Sequence, residues 1–135
     1  MTAAQLVALH EREPAEIVHP VLLIRINRLF RPGASQQELY DATRGVWRLG
    51  KRRELVEYAL SVYDGIVQEV YAICGWYPAG STLSSRGPLE REGRFEFVGA
   101  IANESVRSRY RLKSVDHLLS PGNQNPVSYV NVPEC

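Results

Sequence analysis

Five cationic side chains surround one tryptophan in the segment 44–53, which reads Arg-Gly-Val-Trp-Arg-Leu-Gly-Lys-Arg-Arg. Arginine presents a flat, bidentate fork that matches phosphate oxygens, and an indole ring can stack on a nucleobase. The segment therefore predicts contact with a nucleic acid, in which the cations hold phosphates and the ring holds a base. The candidate residues are Arg44, Trp47, Arg48, Lys51, Arg52 and Arg53. The alternative interpretation is a solvated basic surface with the tryptophan in the core.

Two further groups could complete the recognition of a base. Trp76 and Tyr77 follow an apolar run that predicts a strand, and rings at a strand end can either stack on bases or cover the edge of a core. Gln124 and Asn125 lie in the loop 121–126, where their amides can pair with the Watson–Crick edge of an unstacked base or simply favour a turn. Together these groups predict a basic rim, a ring for stacking and amides for base contact.

The charge distribution supports a cationic face although the net charge is only +1. Residues 25–53 carry eight basic side chains against Glu38 and Asp41, a net +6. Residues 54–85 carry four acidic side chains and no lysine or arginine. A chain polarised in this way can attract a polyanion despite a nearly neutral average.

Other chemistries find little support in the residue spacing. The histidines and cysteines do not fall at the spacings typical of metal sites, and no glycine-rich phosphate loop is present, so neither a metal nor a cofactor is predicted. These residues are His10, His19, His117, Cys74 and Cys135. No serine sits in a GxSxG frame. Glu96 alternates with phenylalanines and is expected to face water rather than to act as a catalytic acid.

Length and composition are those of one soluble globular domain. The chain has 135 residues and a mass of 15.2 kDa, with 44% hydrophobic and 23% charged residues. The apolar run 21–24 is far too short to cross a bilayer, and no basic segment leads into an apolar export signal. We therefore expect a single domain over 1–135 that is cytoplasmic, with reduced cysteines and no membrane partner.

The local patterns predict an alternation of strands and helices. Residues 1–16 indicate a helical arm, and Ser35 with Glu38 forms a capping-box pattern at the start of a helix. Apolar residues in 55–63 recur with helical spacing, and Lys51 to Arg53 would then lie at a helix N-terminus, where a bound anion is favoured. Strands are predicted at 21–26, 46–49, 66–73, 94–101 and 127–132, and a further helix is predicted after Asn103. The fold class is α+β, a small, strongly bent mixed sheet or open barrel with three to four peripheral helices.

The order of these features resembles the PUA-like superfamily, in particular its EVE and ASCH types. The residues that carry the resemblance lie within 43–132 and are Arg44-Gly45-Val46-Trp47, Tyr63-Asp64-Gly65, Ile66-Val67-Gln68-Glu69-Val70-Tyr71, Gly93-Arg94-Phe95-Glu96-Phe97-Val98-Gly99 and Asn125-Pro126-Val127-Ser128-Tyr129-Val130. The resemblance implies a compact bent-sheet barrel that binds RNA or modified DNA bases in a pocket. It also implies that Trp47 matches the tryptophan that opens the EVE-type pattern.

Three functional hypotheses follow. The first is a non-catalytic nucleic-acid-binding module that reads RNA or a modified, flipped-out base. The second is a nuclease or base-processing enzyme, because Gly65-Ile66-Val67 resembles half of a GIY-YIG motif and Glu104 with Arg107 or Arg109 could supply its later helix. The third is a protein-interaction component of a defence or toxin–antitoxin system. A homo-oligomer is compatible with each of them.

Overall fold

The computed structural model describes residues 2–31, 33–81, 94–120, 122 and 125–134, and within them three α-helices accompany six strands. The helices are α1 (Ala3–Glu11), α2 (Gln36–Arg44) and α3 (Glu104–Tyr110). The strands are β1 (Val21–Arg25), β2 (Trp47–Arg48), β3 (Tyr58–Tyr63), β4 (Ile66–Pro78), β5 (Arg94–Ile101) and β6 (Val127–Val130). No helix in these ranges has the length and apolar character needed to span a membrane.

The six strands form one sheet in the order β2-β5-β4-β3-β1-β6. β1 and β3 are parallel, and the other neighbouring strands are antiparallel. The sheet bends until it nearly closes, and one unsealed seam remains between its edge strands β2 and β6. The predicted α+β class, with a strongly bent, barrel-like mixed sheet and peripheral helices, is therefore confirmed.

Hydrophobic clusters cover both faces of the sheet. Leu22 and Ile24 pack into the interior cluster with Trp47, whereas Val21 and Leu23 pack into the outer cluster, to which α3 also contributes. These four residues of β1 are fully buried, which is typical of a strand with neighbours on both edges and cover on both faces. This burial explains the continuous apolar run in the sequence.

Helix capping follows the sequence closely. The Ser35 hydroxyl accepts from the Glu38 backbone N–H at 3.1 Å, and a Glu38 carboxylate oxygen accepts from the Ser35 N–H at 3.2 Å, so the predicted capping box at the start of α2 is confirmed. The Ser35 backbone N–H, and after it the Ser35 side chain, hold the pKa of the Glu38 carboxyl below its ordinary value. Asn103 caps α3 through its side chain, also as predicted.

The helix predicted over 55–63 is wrong, because this segment forms β3 after a short 3-10 turn at Lys51–Leu55. Ala59 lies on the interior face, and Leu60 and Val62 lie on the outer face. A strand buried on both sides shows apolar residues at many spacings, including helical ones. The expected α-helix N-terminus at Lys51 to Arg53 is therefore replaced by a 3-10 turn of five residues, which is too short to support an anion site there.

β4 is longer than predicted, since it continues to Pro78. Trp76 and Tyr77 therefore lie within the strand, opposite Phe97 and Glu96 of β5, and do not follow its end. Residues 82–93, between β4 and β5, lie outside the described residues.

Candidate nucleic-acid interface

One open cavity of about 830 Å³ lies at the end of the barrel where β1 and β3 finish and β6 begins. The parallel arrangement of β1 and β3 places their C-terminal ends at the same edge of the sheet, so the turns that follow them share this edge. Its volume is within the range of about 300–1,000 Å³ that is typical of ligand sites. The lining residues include Arg25, Arg28, Trp47, Asp64, Asp116 and Pro126.

The first wall of the cavity is cationic. Arg25 is the last residue of β1, and its Nη2 donates to the Asn125 carbonyl oxygen at 2.6 Å. This bond joins the end of β1 to the segment that leads into β6 and limits the freedom of the guanidinium. Arg28 lies in the turn after β1 and is exposed. The two arginines present donors suited to the oxygens of a phosphate.

The second wall is the ring of Trp47. The residue is 8% exposed, and its Nε1 donates to the Thr43 carbonyl oxygen at 2.8 Å, near the end of α2. The indole also belongs to the interior core. Trp47 therefore fills the core, as the alternative interpretation expects, and its side chain also lines the cavity. Because core packing and the Thr43 bond fix the ring, its orientation is set before any ligand arrives.

The third wall is acidic. Asp64 follows β3, and Asp116 begins a 3-10 turn after α3. Arg12, beyond the end of α1, joins them: its Nη2 lies 3.3 Å from Asp64 Oδ2 and its Nη1 lies 2.9 Å from Asp116 Oδ2. The Arg12 Nη1 also donates to the Asp64 carbonyl oxygen at 3.0 Å. The N-terminal helix is thus attached to the same end of the barrel.

Arg44 lies in the interior, away from this cavity. Its Nε donates to the Phe97 carbonyl oxygen at 3.0 Å, and its Nη2 lies 3.2 Å from Glu96 Oε2, with both side chains almost fully buried. Glu96 also accepts from the Gly80 N–H at 2.6 Å. The expectation that Glu96 faces water is therefore wrong, because an arginine and a backbone amide compensate for its burial.

The remaining predicted cations do not converge on Trp47. Arg52 lies over the Tyr129 ring at 4.3 Å, and its Nη2 donates to the Val132 carbonyl oxygen at 2.8 Å. Arg53 lies over the Phe95 ring at 3.7 Å, and its Nη1 donates to the Gly50 carbonyl oxygen. Arg48 and Lys51 are exposed. Both remain candidate phosphate contacts on the outside of the barrel.

The other predicted recognition residues are only partly brought together. Trp76 packs edge-on against Phe97, 5.4 Å between ring centroids, and Tyr77 is exposed. Neither ring lines the cavity. Asn125 is exposed beside the cavity and contacts Arg25, whereas Gln124 lies outside the described residues. Of the predicted residues that the structure describes, Trp47 alone lines the cavity.

Sequence reasoning missed the two arginines that do line it. Arg25 and Arg28 belong to the basic segment 25–53, but no tryptophan lies near them in sequence to mark them as candidate site residues. A usable signal was their position directly after a buried strand, followed by a turn containing Asn27. Polar residues at the end of a strand are exposed at the edge of its sheet, where clefts form.

Of the residues invoked for a nuclease, Gly65 lines the cavity, whereas Glu104, Arg107 and Arg109 lie on α3 and do not. Glu104 is exposed on α3, and its carboxylate lies 3.8 Å from Arg107, which itself holds the buried Glu69. Among the described residues, no group of three or more histidine, cysteine or acidic side chains could hold a metal ion.

Comparison with known proteins gives no relative from which a function could be transferred. No protein-family model, no curated protein and no solved structure matches the chain. The cavity is therefore the feature from which a function can be inferred.

Proposed function

We propose that this protein is a nucleic-acid-binding module that takes an unpaired or flipped-out base into the cavity. Arg25 and Arg28 hold the adjacent phosphates, and Trp47 supplies a ring face or edge against the base. The observation that carries the proposal is that an indole and two guanidinium groups from separate segments line one cavity. Phosphate contacts set the affinity of such a module, and base contacts set its preference.

The site is largely formed before binding, which favours affinity because little order must be created. Core packing fixes Trp47, and the bond to Asn125 restrains Arg25. The exposed Arg28 makes no ion pair among those found in the described residues, so its charge is available to an anion. Capture of a phosphate by Arg28 therefore need not break an internal ion pair.

The PUA-like resemblance supports the same proposal, since it implies a bent-sheet barrel with a base-binding pocket. A barrel alone carries no function, so the cavity and not the sheet is the reason for the assignment. We favour binding over cleavage because Glu104, the acid invoked for a nuclease, belongs to α3, and no α3 residue is among those that line the cavity.

The test is the affinity of the protein for fluorescently labelled single-stranded RNA and DNA, measured by anisotropy at low salt. Arg28→Ala is expected to raise the Kd roughly tenfold, the effect of one lost charge-assisted hydrogen bond. Arg109→Ala is the matched control, because Arg109 is also exposed, lies on α3 and does not line the cavity. Absence of binding by the wild type, or equal effects of the two variants, would contradict the proposal.

A further inference from the structure

We infer that the cavity selects guanine over the other standard bases and that the carboxylates of Asp64 and Asp116 make the selection. This inference rests on the proposed function. Its starting point is the charge pattern of the cavity, which has arginines on one wall and aspartates on another. A nucleotide has matching parts: an anionic phosphate, and a base edge that can carry N–H donors.

The two carboxylates are held in place but keep acceptor capacity. Arg12 contacts Oδ2 of each aspartate, at 3.3 Å for Asp64 and 2.9 Å for Asp116. No side-chain hydrogen bond found in the described residues goes to Oδ1 of either group, although Asp116 Oδ1 packs against Gly65. The side chains are 60% and 52% exposed, so a ligand can reach them. An ionised carboxylate only accepts hydrogen bonds, and this wall therefore requires donors from its ligand.

Gly65 fixes the position of the second carboxylate. Asp116 packs directly on the glycine, and a Cβ at position 65 would overlap Asp116 Oδ1. The φ of Gly65 is +76°, in the region that favours glycine. The turn therefore lets the Asp116 carboxylate approach the backbone beside Asp64, and Arg12 joins the two groups from the other side. This arrangement orients the acceptors without a ligand.

Guanine is the standard base that best matches such an acceptor wall. Its Watson–Crick edge places the N1–H and the 2-amino group side by side, so that two donors can meet carboxylate oxygens together. Adenine and cytosine each set one amine beside a ring nitrogen acceptor, and uracil sets one N–H between two carbonyls. Acceptors that face a carboxylate lose hydrogen bonds, whereas paired donors gain charge-assisted ones.

The experiment compares two single-stranded uridine oligomers, one with a central guanosine and one with a central inosine, which lacks only the 2-amino group. We expect the wild type to bind the guanosine oligomer about 10- to 100-fold more tightly, the effect of a hydrogen bond to a charged group. In Asp64→Asn/Asp116→Asn this ratio should fall to within about twofold, while the inosine oligomer still binds.

The variant Arg12→Ala distinguishes two roles of the aspartates: contact with the base, and attachment of the N-terminal helix through Arg12. This variant loses the bridge to both aspartates but keeps both carboxylates, so the inference requires that it retain a clear guanosine preference. A loss of preference equal to that of the double variant would overturn it. Glu104→Gln, which removes an exposed carboxylate outside the cavity, should leave the ratio unchanged.

Binding by the wild type alone distinguishes guanine selection from the proposed nucleic-acid binding. Tight binding of both oligomers with equal Kd would overturn guanine selection and leave the proposed function standing. Failure to bind either oligomer, or any mixed-sequence strand, would overturn the proposed function itself. Because this comparison uses unmodified protein, it does not depend on whether a variant folds.

Discussion

Two polar side chains on β4 illustrate how differently neighbouring residues are accommodated in the core. The Glu69 carboxylate is fully buried and accepts from Arg107 Nε at 2.8 Å and Nη2 at 3.0 Å. The Tyr71 hydroxyl, two residues on, is also buried, and it has no hydrogen-bond partner among the described residues. A buried polar group without a partner costs stability, whereas a paired one can be retained at little net cost.

Replacing Tyr71 by phenylalanine is expected to raise the free energy of unfolding by about 1 kcal/mol, because the change removes a polar group that gains nothing from burial. Urea denaturation measures this effect. The matched control is Tyr110→Phe, since the Tyr110 hydroxyl accepts from the Val18 N–H at 3.0 Å and contacts His19 Nδ1 at 2.6 Å. That variant should be less stable than the wild type. A loss of stability in both variants would contradict the account of Tyr71.

The same substitution carries a pH signature. Burial, and then the charge of Glu69, raise the pKa of Tyr71 above its ordinary value of 10.0. Above about pH 10 the unfolded chain releases this proton and the folded chain retains it, so the stability of the wild type falls as the pH rises. The advantage of Tyr71→Phe over the wild type should therefore grow between pH 9 and pH 11, and Tm measured across that range tests it.

At the scale of elements, the β3–β4 hairpin is the feature that the sequence patterns misjudged most clearly. Asp64 and Gly65 have φ values of +51° and +76°, as a two-residue hairpin turn with both central residues left-handed requires. An Asp-Gly pair between two apolar runs is a strong hairpin signal, but the helical spacing in 55–63 favoured a helix. The capping residues of α2 and α3 were predictable because their partners lie within three residues.

Gly65→Ala is expected to destabilise the protein by more than about 2 kcal/mol, because the left-handed backbone disfavours a side chain and Asp116 occupies its space. Gly33→Ala is the matched control: Gly33 has a φ of +91°, and no atom of the described residues lies within 4 Å of the place where its Cβ would be. It should show the backbone cost alone. Equal losses of Tm in the two variants would mean that the Asp116 contact at Gly65 adds nothing to the destabilisation.

The candidate site could be predicted only in part, because it depends on contacts between residues that are distant in sequence. Trp47 was found because an indole between cations is a local signal. The interior position of Arg44 could not be predicted, since its partner Glu96 is 52 residues away in sequence. Arg25 and Asp64 form walls of one cavity only because β1 and β3 lie parallel and side by side. Such long-range pairings leave little trace in local residue spacing.

At the scale of the whole molecule, the arginines of segment 25–53 serve several different purposes. Arg44 enters the interior, and Arg52 spans the region of the seam by lying over Tyr129 of β6 and donating to the Val132 carbonyl oxygen. Arg25 and Arg28 line the cavity. A net charge of +6 for a segment therefore indicates a polarised chain without locating its binding surface.

The measurement that tests the central claim most directly is the salt dependence of binding to a single-stranded oligonucleotide. If Arg25 and Arg28 each neutralise one phosphate, the slope of log K against log salt should be about −1.4 or steeper for the wild type, at roughly −0.7 per contact. In Arg25→Ala/Arg28→Ala the slope should become shallower by about 1.4. A flat slope for the wild type, or an unchanged slope for the double variant, would contradict the account.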